Sequence, residues 1–269
     1  MAYMQFNFQS EYLKGNTTVS IILPDKPWGV DPREYYTDKK YKVLWLLHGT
    51  YGDHTDWIRK TKIELYACER DLAVVMPSAM NSNYANWPKF GLGFDMYDFL
   101  TEELMPMVYH WFPISSRRED NYVAGLSMGG RGTCVYAFNH PERFGGAAIL
   151  SQAPRDLEWD REHAAPAFFA RTQDSIANRG GLEAYLASYE YTWRVLDEAV
   201  AAKVSLPKLY FACGKQDHLY EAFQHFKAHA EEIGLDAKFE EIDGYRHEWR
   251  FWDLTIEKAM DFFGIPKNE

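Results

Sequence analysis

Gly125-Leu126-Ser127-Met128-Gly129 stands directly after the apolar residues 122–124 and directly before a run of helical spacing that reaches Asn139. A serine with glycine two positions away on either side suits a sharp strand-to-helix bend, because the missing side chains let neighbouring backbone approach closely. Such a bend lifts the Ser127 hydroxyl above the end of a sheet and sets a helix N-terminus beneath any anion that forms there. Glycine and serine are common, so the pentapeptide gains its meaning from its flanks. An ordinary glycine-rich turn is the competing reading.

The strand before Ser127 is one of a series. Residues 43–47 (VLWLL) and 72–77 (LAVVMP) read as strands buried on both faces, and 146–150, 208–212 and 238–242 read as further strands. Residues 3–9 and 17–23 read as extended segments around the Gly15-Asn16 turn, after which Pro24, Pro27, Gly29 and Pro32 break the pattern. Helical spacing marks 96–111, 127–139, 219–233 and 249–263. Asp98, Glu102 and Glu103 favour the start of the first, and Pro106 is expected to kink or split it. This alternation predicts an α/β chain: a mostly parallel sheet of about eight strands with helices on both faces.

Residues 151–204 are too long for an ordinary connection of roughly 2 to 6 residues. They are expected to form a small lid-like insertion after the sixth strand, with 178–181 (Asn-Arg-Gly-Gly) as an internal turn; one or two plain covering helices are the alternative. The full span 1–269 is expected to be a single domain.

A formal charge of −10 disfavours nucleic-acid or anionic-membrane partners, whose surfaces repel the field of such a chain. Cys68, Cys134 and Cys213 lack disulfide-framework or zinc spacing and read as free thiols of a reducing compartment. Neither a leader-like start nor a run of about 18 apolar residues is present, so a soluble cytoplasmic protein is expected. His225 and His229 stand four apart without the glutamate of a zinc motif and read as a solvated face; Lys39-Lys40 and Arg117-Arg118 read as surface charge. No metal or cofactor is expected.

A serine nucleophile needs a base, and the base needs an orienting acid. Asp217 lies in the loop after strand 208–212, and His247 lies between the last strand and the last helix, which gives the chain order Ser, Asp, His. His218 reads as a surface residue, while Asp243 and Glu248 read as flanking a turn and a helix start. The N–H groups of Met128 and Thr50 are the expected oxyanion donors, with His48 shaping the second loop. Tyr51, Trp57, Asn83, Tyr84, Trp87 and Trp249 are the candidate substrate-binding residues, suited to a partly apolar, partly carbohydrate-like ligand; loop packing is the competing role for each.

With these residues placed, the chain resembles the esterase D family of α/β-hydrolases, which includes S-formylglutathione hydrolases, tributyrin-type esterases and feruloyl or acetyl xylan esterases. The resemblance spans nearly the whole chain. It rests on Leu46-Leu47-His48-Gly49-Thr50-Tyr51-Gly52 with Trp57, on 125–130, on 214–217, and on Gly244, Tyr245, His247 and Trp249. It implies an α/β-hydrolase fold, a serine carboxylesterase without a cofactor, a lid over the acyl pocket and a homodimer. S-formylglutathione hydrolases typically carry Gly-Leu-Thr-Cys in the oxyanion loop, where this chain has Gly49-Thr50-Tyr51-Gly52. That departure leans the expectation toward the tributyrin and feruloyl branch, acting on short-chain acyl or hydroxycinnamoyl esters of small molecules or plant-derived saccharides. S-formylglutathione thioester hydrolysis and acyl transfer are the alternatives. A catalytically silent binding protein is disfavoured, because no triad residue is missing.

Overall fold

Apolar residues run without a break through the central strands, and a strand projects successive side chains to opposite faces. Burial on both sides follows. The computed structural model, which describes residues 2–26 and 28–268, shows this division. Val43, Trp45 and Leu47 enter one core with Val75, Val123, Ile149 and Phe211, while Leu44 and Leu46 enter the other with Val74, Ala124, Leu150 and Tyr210. The break expected at Pro27 lies outside the described residues.

The strands in chain order are β1 (Ala2–Ser10), β2 (Gly15–Leu23), β3 (Lys42–Leu47), β4 (Leu72–Pro77), β5 (Asn86–Trp87), β6 (Phe94–Asp95), β7 (Asn121–Leu126), β8 (Gly146–Leu150), β9 (Lys208–Gly214) and β10 (Ala237–Ile242). β5 and β6 form a separate ribbon. The other eight form one sheet in the order β1-β2-β4-β3-β7-β8-β9-β10. β1 and β2, and β2 and β4, pair antiparallel, and all remaining pairs are parallel. This is the α/β-hydrolase topology.

The helices Ile63–Glu69 and Trp249–Phe263 bury Tyr66, Phe251, Ile256 and Met260 against one face. Met128–Asn139 and Tyr220–Glu232 bury Tyr136, Phe138, Phe223 and Phe226 against the other. The segment around Pro106 stays helical but is not a plain helix: Met96–Asp98 leads into a π-helical stretch, Phe99–Leu104, and then into Met105–Trp111. Proline removes an N–H and crowds the carbonyl four residues earlier, and a wider turn just before it relieves both.

Between β8 and β9 the chain forms four helices, Leu157–His163, Pro166–Arg179, Leu182–Leu186 and Thr192–Ala201. Gly180 and Gly181, with φ of 91° and 125°, end the second as the turn expected at 178–181. The insertion has two parts. Thr192–Ala201 is a covering helix that packs on Met128–Asn139 and buries Leu196, whereas Pro166–Arg179 reaches the carboxyl ends of the strands.

Candidate active site

Register places Leu126, Leu150, Ala212 and Glu240 side by side across β7 to β10. Ser127 is the first residue beyond this row. Its φ of 51° and ψ of −116° are strained for a residue with a side chain, and its N–H donates to Leu150 O at 2.8 Å while its carbonyl accepts from Arg131 N–H at 3.0 Å. Both flanking glycines are required by contact. A Cβ on Gly129 would lie 2.4 Å from the Leu47 carbonyl oxygen, and one on Gly125 would lie 2.4 Å from the Gly129 carbonyl carbon. Left-handed backbone recurs beyond the carboxyl ends of the strands at Tyr51, Met80, Asn83, Tyr84 and Ser151, while Lys14, Asp71 and Lys203 adopt it elsewhere.

Asp217 follows β9 and is buried at 5% exposure. Its Oδ2 lies 2.9 Å and its Oδ1 3.1 Å from His247 Nδ1, and Oδ1 also accepts the Leu219 N–H at 2.9 Å. Burial pushes the Asp217 carboxyl upward. The hydrogen bond and charge of His247, with the Leu219 N–H and Ser151, outweigh that and hold it below the usual carboxylate value. The loops carrying the pair are tied together by Gln216, whose Nε2 donates to Asp243 Oδ1 and whose Oε1 accepts the Gly244 N–H, both at 2.7 Å. Trp252 presents its ring edge-on to His247 at 5.0 Å and donates its Nε1–H to Ser151 Oγ at 2.9 Å.

His218 is solvent-facing, with its ring 4.6 Å from that of His247. Asp217, His218 and His247 bring donor atoms within 4.8 Å of one another, as a metal site would. The shortest contact in the group is the Asp217–His247 hydrogen bond, the arrangement of an oriented base.

His48 shapes the loop after β3. Its Nε2 accepts the Ala79 N–H at 2.8 Å, so the ring proton sits on Nδ1, which donates to Gly49 O at 2.7 Å. Burial lowers its basicity accordingly. The sign of the stability effect follows: the folded state resists a proton that the unfolded chain takes up below about pH 6.5, so stability is full above that pH and falls as pH drops toward the folded value. One proton gives a limiting slope of about 1.4 kcal/mol per pH unit. Urea unfolding between pH 7.5 and 5.5 is expected to show a steeper loss for the native chain than for His48→Gln; equal slopes would refute the assignment.

Met128 opens its helix, so its N–H has no partner within that helix. Tyr51 N–H is held by Asn81 Oδ1 at 2.8 Å, and Thr50 Oγ1 accepts from Arg171 Nη1 at 2.8 Å. Tyr51 itself is 91% exposed on the rim.

The other candidate substrate residues divide. Asn83 lines a small cavity with Ser127 and Met128. Trp57 and Tyr84 are enclosed, donating to Leu47 O and His48 O at 3.0 Å, and so pack the loops instead of facing a ligand. Trp249 also packs, edge-on to Trp57 at 5.4 Å and Trp252 at 5.1 Å beneath Lys60. Trp87 lines a separate depression of about 230 Å³ with Met80, Asn81, Phe90 and Phe94.

Several residues at the Ser127 cavity escaped the sequence reading: Arg131, Gln152, Phe168, Arg171 and Thr172. Arg171, from Pro166–Arg179, bridges Thr50 Oγ1 and Asn83 Oδ1 at 2.8 Å each. A signal existed for Arg131, the one charged residue in the otherwise uncharged helix Met128–Asn139.

No helix among the described residues is long and apolar enough to cross a membrane. Residues 10–260 match the family described as putative esterase. An acetyl esterase from Caldicellulosiruptor saccharolyticus is 30% identical over 97% of this chain and 98% of its own. Substrate-bound FphF, a fluorophosphonate-binding serine hydrolase of Staphylococcus aureus, superposes with a TM-score of 0.82 at 32% identity over 99% of each chain. FrmB, an S-formylglutathione hydrolase from the same organism, gives 0.80 at 30% identity over 98% of this chain and 99% of its own. The expected lean toward the tributyrin and feruloyl branch is not upheld, since these relatives are similar to this chain at nearly the same level and no branch stands nearest. The chain belongs to the esterase family and is a serine ester hydrolase.

Proposed function

We propose that the chain hydrolyses small-molecule esters or thioesters of short acyl groups through an acyl-Ser127 intermediate. His247 takes the Ser127 proton as Oγ attacks the carbonyl carbon, and the Met128 and Thr50 N–H groups hold the oxyanion. Protonated His247 gives its proton to the leaving alcohol or thiol. Water activated by the same imidazole then cleaves the acyl-enzyme. Asp217 stays ionised and fixes the ring. The observation that carries this reading is the 2.9 Å contact between His247 Nδ1 and the buried Asp217 carboxylate; the strained serine at a helix start supplies the nucleophile.

Acyl size is argued from the cavity at Ser127, which measures about 30 Å³ and has Asn83, Arg131, Gln152 and Arg171 on its walls. A hydroxycinnamoyl ring wants a larger apolar slot. The same smallness suits a formyl group, and with the FrmB similarity it favours S-formylglutathione as the second reading. kcat/KM measured for ethyl acetate, ethyl butyrate, methyl ferulate and S-formylglutathione is expected to rank every short acyl substrate at least ~10-fold above ferulate. Preference for ferulate would overturn the short-acyl assignment, and strong thioester turnover with negligible ester turnover would establish the second reading.

A further inference from the structure

The chain carries ten more acidic than basic charges by formal count, yet the cavity beside Ser127 has the opposite character. Arg131 and Arg171 line it, and among the described residues no acidic one does. Arg131 shares Glu190, which is 1% exposed, with Arg179; its Nη2 lies 3.5 Å from that carboxylate. Arg171 has no such partner. Two of its N–H groups donate to the uncharged Thr50 Oγ1 and Asn83 Oδ1, and among the described residues no carboxylate lies within ion-pairing distance. Only Tyr51 and the exposed Asp174, three residues on, counter the loss of charge stabilisation. A half-buried guanidinium offers five donors, and one without a counter-charge beside a second guanidinium is costly unless an anion completes the set. Burial and the neighbouring Arg131 push the Arg171 pKa down, as expected for a cation awaiting an anion.

We propose that this cavity binds a carboxylate at the far end of the acyl group, so that the preferred substrates are half-esters of short dicarboxylic acids, with Arg171 as the residue that selects them. The inference rests on the acyl-Ser127 reading above. The space of about 30 Å³ beside Ser127 admits a small polar head such as a carboxylate, which suits the end of a short acyl arm better than a saccharide- or glutathione-sized leaving group. The chemistry balances as ordinary hydrolysis. The Ser127 Oγ–acyl bond forms as its proton passes to His247, the alcohol leaves with that proton, and water releases the dicarboxylate with its distal carboxylate unchanged. Arg131 adds positive potential from the helix that begins at Met128. A planar guanidinium fork suits a carboxylate better than an ammonium does.

The test compares kcat/KM for monoethyl succinate and ethyl butyrate, which share a leaving group, in the native chain, Arg171→Gln and Arg171→Lys. The ratio of the two substrates is the readout, because any loss transmitted through Thr50 affects both and cancels. The native ratio is expected to favour succinate by ~10-fold or more, to collapse toward one in Arg171→Gln, and to persist in part in Arg171→Lys. A native ratio at or below one, or a ratio unchanged in Arg171→Gln, overturns the inference. Butyrate turnover without anion preference would leave the acyl-Ser127 reading standing. Failure of both esters together with no fluorophosphonate labelling of Ser127 would remove that reading and this inference with it.

Discussion

Replacing Ser127 with alanine is expected to lower kcat for short acyl esters by roughly 10⁵-fold or more, because a triad that acts as a unit loses nearly all its advantage with its nucleophile. Folding should change little. The backbone strain at φ 51° and the N–H bond to Leu150 O belong to the turn and not to the hydroxyl, and alanine fits wherever serine does. Steady-state kinetics beside a urea unfolding midpoint checks both halves. Activity within ten-fold of native would mean that another group attacks the ester.

Asp217→Asn is the second large effect, expected at roughly 10⁴-fold in kcat with the fold intact. The Asp217 carboxylate accepts from both the Leu219 N–H and His247 Nδ1. An asparagine that keeps its oxygen toward Leu219 turns its amide N–H₂ toward His247, and Nδ1 must then be the acceptor. The ring proton moves to Nε2, where it blocks removal of the serine proton. Asparagine also removes the charge that stabilises the imidazolium. A fall of less than ten-fold at neutral pH would show that Asp217 does not orient the base.

What could be read from the sequence was whatever local chemistry dictates. The two strands of the β1–β2 hairpin were legible as extended segments, but the turn lies at 11–14, with Lys14 at φ 54°, and Gly15 and Asn16 already pair with Ser10 and Gln9. The central sheet follows from apolar runs, and the bend at Ser127 from glycines whose absent Cβ atoms would meet backbone at 2.4 Å. The insertion after β8 was legible as excess length between two strands. Its division was not, because the packing of Thr192–Ala201 on the core and the reach of Pro166–Arg179 over the strand ends depend on long-range contacts. Trp57, Tyr84 and Trp249 show the same limit: an aromatic near an active-site loop has the same local sequence whether it lines a cleft or braces the loop. Arg171 is the clearest case. It meets Thr50 across 121 positions of chain, and no spacing rule connects an arginine of the insertion to the loop after β3.

The most direct measurement is mass spectrometry of the intact protein and its peptides after reaction with a fluorophosphonate, for the native chain and for Ser127→Ala and Asp217→Asn. One adduct per chain on the peptide containing Ser127, none in Ser127→Ala, and a labelling rate reduced by orders of magnitude in Asp217→Asn is the expected result. An adduct on a different residue, or undiminished labelling in Ser127→Ala, would contradict the assignment of Ser127 as the nucleophile served by His247 and Asp217.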